Sequence, residues 1–232
     1  MSAPVVVDVS AEISDRLAVA CAVFGLELRP IESAGHEPHA LGRASEQIAE
    51  WIGERDRSRG LVCLLTGPSG SGKSTLLRLL ERNLRARGEP VRLARPIARG
   101  SRSVLDHIPG SLDRALRTLA RCGLADATVL PRTPRELSDG QRWRLGLARA
   151  FRGCRPRIVI ADEFASTLDA LTALGVCGAL GRSVKRSPGE VLIAATARDE
   201  VERWLQPCIM ARVPFPAPGV RGDVALDRHR HA

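Results

Sequence analysis

Apolar positions along the chain fall into two patterns. The runs Leu61-Val62-Cys63-Leu64-Leu65, Arg157 to Ala161 and Val191 to Ala195 show no polar alternation, which predicts strands buried on both faces. Val5-Val6-Val7-Asp8-Val9, Val91 to Ala94 and Cys208 to Val213 are shorter strand candidates. Between them the spacing turns helical. Ile13 to Phe24 repeats Leu17, Ala20, Cys21 and Phe24, and Leu41 to Arg57 sets Ile48, Trp51 and Ile52 on one face. Leu76 to Leu84, Arg142 to Phe151 and Leu168 to Leu180 are further helix candidates. So is Ser111 to Cys122, with Ser111 as its N-cap. Strands alternating with helices predict an α/β fold with a mostly parallel sheet flanked by helices. Pro30 to His39, Gly88-Glu89-Pro90 and the basic stretch Pro96 to Gly110 punctuate the pattern. Pro214 to Ala232, with three prolines, predicts a loose tail.

The join between the first buried strand and the helix after it carries the chemistry. Gly67 to Thr75 reads GPSGSGKST and fits G-x-x-x-x-G-K-[ST] at every fixed position. Gly67, Gly70 and Gly72 allow backbone N–H groups to turn inward around phosphates, with Ser69, Ser71 and Thr75 completing the loop. The helix start adds its positive dipole end. Lys73 can reach the outer phosphates and the Ser74 hydroxyl can ligate Mg²⁺.

Composition narrows the class. The 232 residues are 44% hydrophobic, enough for a packed core, yet only 3% aromatic, with no Tyr. No apolar stretch reaches the length of a membrane span and the N-terminus lacks a signal pattern, so a soluble cytoplasmic protein is expected. Six scattered cysteines without a C-x-x-C pair predict buried thiols rather than zinc ligands or disulfides. His36 and His39, three apart in a turn-rich segment, read more simply as loop histidines than as a metal pair. The net charge of +9 permits contact with nucleic acid. The arginines are spread along the chain rather than clustered, which weakens that reading.

Two later motifs extend the site. Ile158-Val159-Ile160-Ala161-Asp162-Glu163 is an apolar strand ending in adjacent carboxylates. In a phosphate-loop protein it resembles the Walker B element, with Asp162 on Mg²⁺ and Glu163 orienting the attacking water or accepting its proton. Leu137-Ser138-Asp139-Gly140-Gln141 also reads as a capped helix start. It resembles the signature motif of ATP-binding cassette proteins, with Asp139 where a glycine is usual. Ser166-Thr167-Leu168-Asp169 resembles their D-loop. The order of motifs is that of this family, and the resemblance covers about Gly60 to Thr196. It is most similar to small cassette ATPases sometimes joined to acyltransferase-like domains.

The resemblance implies a P-loop NTPase fold with a shortened helical subdomain. Residues 1–59 would form a strand and helix segment packed on the cassette, 60–213 the core with the helical subdomain at about 96–153, and 214–232 a basic tail. It also implies ATP with Mg²⁺, and a homodimer in which Ser138, Gly140, Gln141 and Asp169 of one copy complete the ATP site of the other. Three positions depart from the family. Ala197 follows the strand that ends at Thr196, where a histidine is usual, so hydrolysis is expected to be slow. No glutamine lies between Lys73 and Ser138, leaving Asp106 as the candidate for the usual Q-loop residue. No base-stacking aromatic is obvious ahead of the loop, though Phe24 and Trp51 are candidates that also read as core. These departures, and the short interval from Lys73 to Ser138, favour a soluble nucleotide-gated dimeric switch acting on an unknown effector protein. An ATP-hydrolysing subunit of a membrane transporter ranks below it, as do a near-inactive ATP-binding module and a DNA-associated ATPase.

Overall fold

A computed structural model of the chain describes residues 5–9, 13–30, 38–153, 157–215 and 223–228. In chain order the elements are β1 (Val5–Val9), α1 (Asp15–Val23), β2 (Leu26–Pro30), α2 (Pro38–Gly53), β3 (Leu61–Thr66), α3 (Lys73–Ala86) and β4 (Val91–Leu93). They continue with α4 (Leu112–Arg121), α5 (Asp139–Ala150), β5 (Ile158–Ala161), α6 (Ala170–Arg186), β6 (Val191–Thr196), α7 (Glu200–Leu205), β7 (Ile209–Arg212) and β8 (Ala225–Arg228).

The main sheet has six strands in the order β4-β5-β6-β3-β7-β8. The first five are parallel and β8 is antiparallel to β7. Its central strands contain almost no polar residue because both faces are covered, and alternate side chains enter different cores. Val62, Leu64, Val159, Leu192 and Ala194 pack with Leu119, Leu145, Leu147, Leu180 and Val184 from α4, α5 and α6. Cys63, Leu65, Ile160, Ile193 and Ala211 pack on the opposite face with Ile48, Ile52, Leu76, Leu80 and Leu84 from α2 and α3. Each fully buried Leu or Ile contributes about 1.5–3 kcal/mol. The α/β fold with a mostly parallel sheet flanked by helices is thus present.

At the amino ends of β5 and β6 a buried ion network ties the α4 end to the sheet. Arg121 Nη1 donates to Glu190 Oε2 at 2.7 Å, and Arg157 Nε lies 3.7 Å from Glu190 Oε1. Arg121 also stacks over Phe151, 4.4 Å from the ring centroid. Breaking such a pair leaves an uncompensated buried charge, so each partner needs the others.

Several expectations are corrected. The tail is not loose throughout, because Ala225–Arg228 adds strand β8 to the edge of β7. Val224 and Leu226 pack against the α2–α3 core, Arg228 Nη1 donates to Glu54 at 3.1 Å, and its guanidinium lies 5.8 Å from the Trp51 ring centroid. Trp51 therefore belongs to the packing under this edge. Phe24 is instead 78% exposed at the C-cap of α1, a helix with no buried residue. Strand β2, parallel to β1 in a separate two-stranded sheet, and the short α7 are further elements. Cys63, Cys122, Cys177 and Cys208 are buried and Cys21 is half-buried, while Cys154 and His36 lie outside the described residues. Among the described residues no helix is long and apolar enough to cross a membrane.

Candidate functional site

The loop Gly67–Gly72 joins β3 to α3 through three glycines at positive φ: Gly67 at 148°, Gly70 at 80° and Gly72 at 96°. A side chain at Gly67 would also collide with the Val213 carbonyl oxygen, 2.1 Å from its Cβ position. Both facts restrict that position to glycine. Gly72 is the N-cap of α3 and offers no side chain to the helix's first N–H groups, and no acidic residue sits in the first turn. Those donors are left to face an anion. Ser69, Gly70 and Thr75 are exposed, Ser74 is half-buried and Ser71 is buried under the loop. Lys73 Nζ closes the loop from above, donating to the carbonyls of Gly67 at 2.8 Å and Pro68 at 2.6 Å. Burial lowers the Lys73 ammonium from its usual range, while the charges of Asp162 and Glu163 act to raise it.

Those two carboxylates stand exposed where β5 ends. Strand β6 lies between β3 and β5, so Thr196 and Ala197 emerge between the loop and the acids. The turn after Asp162 is strained: Glu163 has φ 48° and Ala165 φ 60°, uncommon for residues with a Cβ. Asp162 Oδ1 accepts from the Glu163 amide at 2.9 Å, and the Phe164 amide donates to Ala195 O at 2.7 Å. The fully buried Phe164 meets Trp143 of α5 edge-on, with centroids 5.2 Å apart. Ser74 and Asp162 both offer oxygen. Mg²⁺ takes one or two protein oxygens with water and phosphate completing its shell, so the donor set fits that ion.

The tip of α5 is a capped helix start. The Gln141 amide donates to Ser138 Oγ at 3.3 Å, and the Ser138 amide donates to Gln141 Oε1 at 3.0 Å. Leu137 is buried and anchors the tip, whereas Ser138 and Asp139 are exposed. Asp139 accepts from Arg142 at 2.9 Å. Gly140 abuts the segment after β5, where its Cβ position is 3.0 Å from Leu168 Cδ2 and 3.3 Å from Thr167 O. Asp169 caps α6 by accepting from the Thr172 amide at 2.9 Å, and these hydrogen bonds hold its carboxyl below the usual range. The structure therefore gathers Lys73, Asp162 and Glu163 as one group, and Gly140 with Thr167 and Leu168 as a second.

Asp106 sits in a short 3₁₀ turn, and its carboxylate accepts from Ser103 Oγ at 2.6 Å. Two residues near the site carry no sequence signal of their own. Phe215, past β7 and 58% exposed, has Cε2 3.7 Å from the Gly70 Cβ position. Arg198 reaches back to the turn after Glu163, and nothing marks it among so many arginines.

A family model described as an AAA domain matches residues 55–196, more than half of the chain. The chain is similar to the phosphonates import ATP-binding protein PhnC of Hyphomonas neptunium, 32% identical over 193 residues, covering 66% of this chain and 73% of that protein. It is 33% identical over 190 residues to the aliphatic sulfonates import ATP-binding protein SsuB of Delftia acidovorans, covering 74% and 77%. The SsuB protein of Ralstonia nicotianae is 32% identical over 222 residues, covering 84% and 78%. Among solved structures, the ATP-binding cassette MJ0796 in a dimeric post-hydrolysis state bound to ADP and Pi superposes with a TM-score of 0.54 at 19% identity, covering 77% of this chain and 88% of that one. That likeness is one of fold. Taken with the loop, the acid-ended strand and the capped tip of α5, these relatives establish that the chain belongs to the ATP-binding cassette ATPase family.

Proposed function

We propose that the chain is an ATP hydrolase that works as the ATP-binding subunit of an import-type transporter. One observation carries this reading: the import ATP-binding relatives align over 73–78% of their own length, well beyond the phosphate loop. It displaces the soluble switch favoured by the sequence alone. The switch survives as a second reading because Ala197 and the absence of glutamine from the Lys73–Ser138 interval remain unusual for a transport engine.

ATP would lie with its phosphates on Gly67–Thr75. The loop amides and the α3 start bind phosphate oxygens, and Lys73 exchanges the carbonyls of Gly67 and Pro68 for the outer phosphates. Mg²⁺, on Ser74 and Asp162, would supply positive charge to those oxygens when bound. Glu163 orients the attacking water and accepts its proton. With its terminal phosphate toward the acids that follow β5, ATP would leave its base on the other side of β3, past the end of β7, where Phe215 offers a stacking face. In a head-to-tail pair of copies, Ser138, Gly140 and Gln141 of one would close over the terminal phosphate held by the other, with Asp169 beside them.

The test uses Glu163→Gln protein loaded with ATP and mixed with detergent-solubilised membranes and, separately, with soluble extract. Recovery of an integral membrane protein supports the transporter reading. Recovery of a soluble protein alone turns the assignment to the switch. A Phe215→Ala variant is expected to bind ATP about ten-fold more weakly and inorganic tripolyphosphate unchanged. Equal weakening of both would remove the base contact from the proposal.

A further inference from the structure

We infer that Arg198 is a positioning residue for hydrolysis, holding the turn that carries Glu163 and tying it to the tip of α5. The inference rests on the hydrolase reading above and assigns that site a residue which no part of the family resemblance supplied.

The turn between β5 and α6 needs an external clamp. Glu163 and Ala165 both take left-handed backbone conformations, which cost side-chain-bearing residues free energy and persist only where the surroundings fix them. Internal bonds tie part of the turn: the Ser166 amide donates to Glu163 O at 3.0 Å and the Leu168 amide to Ala165 O at 3.2 Å. The clamp comes from the strand next door. Arg198, two residues past the end of β6, sends Nη1 to Ala165 O at 3.1 Å and to Leu168 O at 2.7 Å. One cation thus binds both ends of the segment that follows the strained glutamate.

Arg198 is itself fixed. Its amide donates to Oγ1 of the buried Thr196 at 3.2 Å, and its guanidinium lies 5.7 Å from the Trp204 ring centroid. The side chain is half-buried, and charge-assisted bonds are roughly twice as strong as neutral ones. The clamp also reaches the second group of site residues. Leu168, whose carbonyl Arg198 holds, places Cδ2 3.0 Å from the Cβ position of Gly140. A shift of Leu168 would press directly on the tip of α5. Arg198 therefore sits where the end of β6, the glutamate turn and that tip are mechanically joined, beside an Ala197 that has no hydrogen-bonding side chain.

The experiment compares steady-state ATP turnover, ATP affinity and thermal unfolding for the native chain, Arg198→Ala and Arg198→Lys. Arg198→Ala is expected to lower kcat ten- to hundred-fold while ATP affinity changes less than two-fold. Arg198→Lys, or millimolar guanidinium added to Arg198→Ala, should restore part of the loss. Unchanged turnover in Arg198→Ala would overturn the inference. So would a loss in which kcat, affinity and unfolding temperature fall together and neither lysine nor guanidinium rescues. A native chain that binds ATP without hydrolysing it fails the hydrolase reading instead, which separates the two outcomes.

Discussion

Glu163 combines two demands that pull against each other. Its carboxylate stands exposed beside Asp162, facing the Lys73 side of the site, and its backbone holds φ 48°. A left-handed residue with a Cβ costs about 1–2 kcal/mol, and glycine's extra chain entropy returns about 0.5–1 kcal/mol of that. Glu163→Gly should therefore stabilise the fold by about 0.5–1 kcal/mol in denaturant titration while abolishing turnover. Glu163→Gln should keep ATP binding and lower kcat about 10²–10⁴-fold, the usual weight of a general base. Ala197 supplies the opposite test. Ala197→His adds a donor at the end of β6 and should raise kcat, by up to about 10²-fold; an unchanged rate in stopped-flow phosphate release would mean that another group already holds the charge. At this scale the phosphate loop was readable because its requirements are local: three glycines, one lysine and one hydroxyl in sequence. The placement of Arg198 and Phe215 was not, because both lie against residues far away in the chain.

Among the elements, the long helices were legible, and so were the short strands β4, β5 and β7, because each falls in an apolar run; α7, β8 and β2 were not. Helices α3, α4 and α5 fall close to their expected spans, since each shows an apolar stripe and a start signal, such as the Ser111 cap and the Ser138–Gln141 box. α7 has six residues and β8 four, too few for periodicity to register. β8 exists through tertiary pairing with β7, as its half-polar sequence Ala-Leu-Asp-Arg gives no strand signal of its own. β2 was hidden because Leu26–Pro30 alternates apolar and polar over only five residues and ends in proline. One packing contact at this scale can be checked. Helix α5 passes so close to the chain after β4 that a Cβ at Gly146 would lie 1.9 Å from Arg95 O. Gly146→Ala should destabilise the protein by about 1–3 kcal/mol, read as a lower urea midpoint, and should shift α5 away from the sheet.

For the molecule as a whole, the sheet order sets one end apart for the phosphate loop and the two acids. Loop, acids and Ala197 lie at the carboxyl ends of β3, β5 and β6, and the Arg121–Glu190–Arg157 network braces the amino ends. The fold class was legible from alternation of strand and helix alone. The partner was not, because docking surfaces carry no periodic pattern, and the relatives rather than the residues moved the reading toward transport. Pairing of copies is testable directly: Glu163→Gln should sediment as a dimer with ATP and as a monomer with ADP. A monomer in both would remove Ser138 and Gly140 from the nucleotide site.

The Ser138–Gln141 cap has a consequence for that pairing. Ser138 Oγ already receives its own helix's amide hydrogen, so one of its two lone pairs is occupied and its proton is left for an outside acceptor. The rotamer is frozen before any second copy arrives. Docking then forgoes much of the roughly 0.5–1.5 kcal/mol of entropy that a wandering side chain would lose on being immobilised. In the proposed pair the tip would be preorganised to donate, and a ligand ending one phosphate short would offer it nothing to grip.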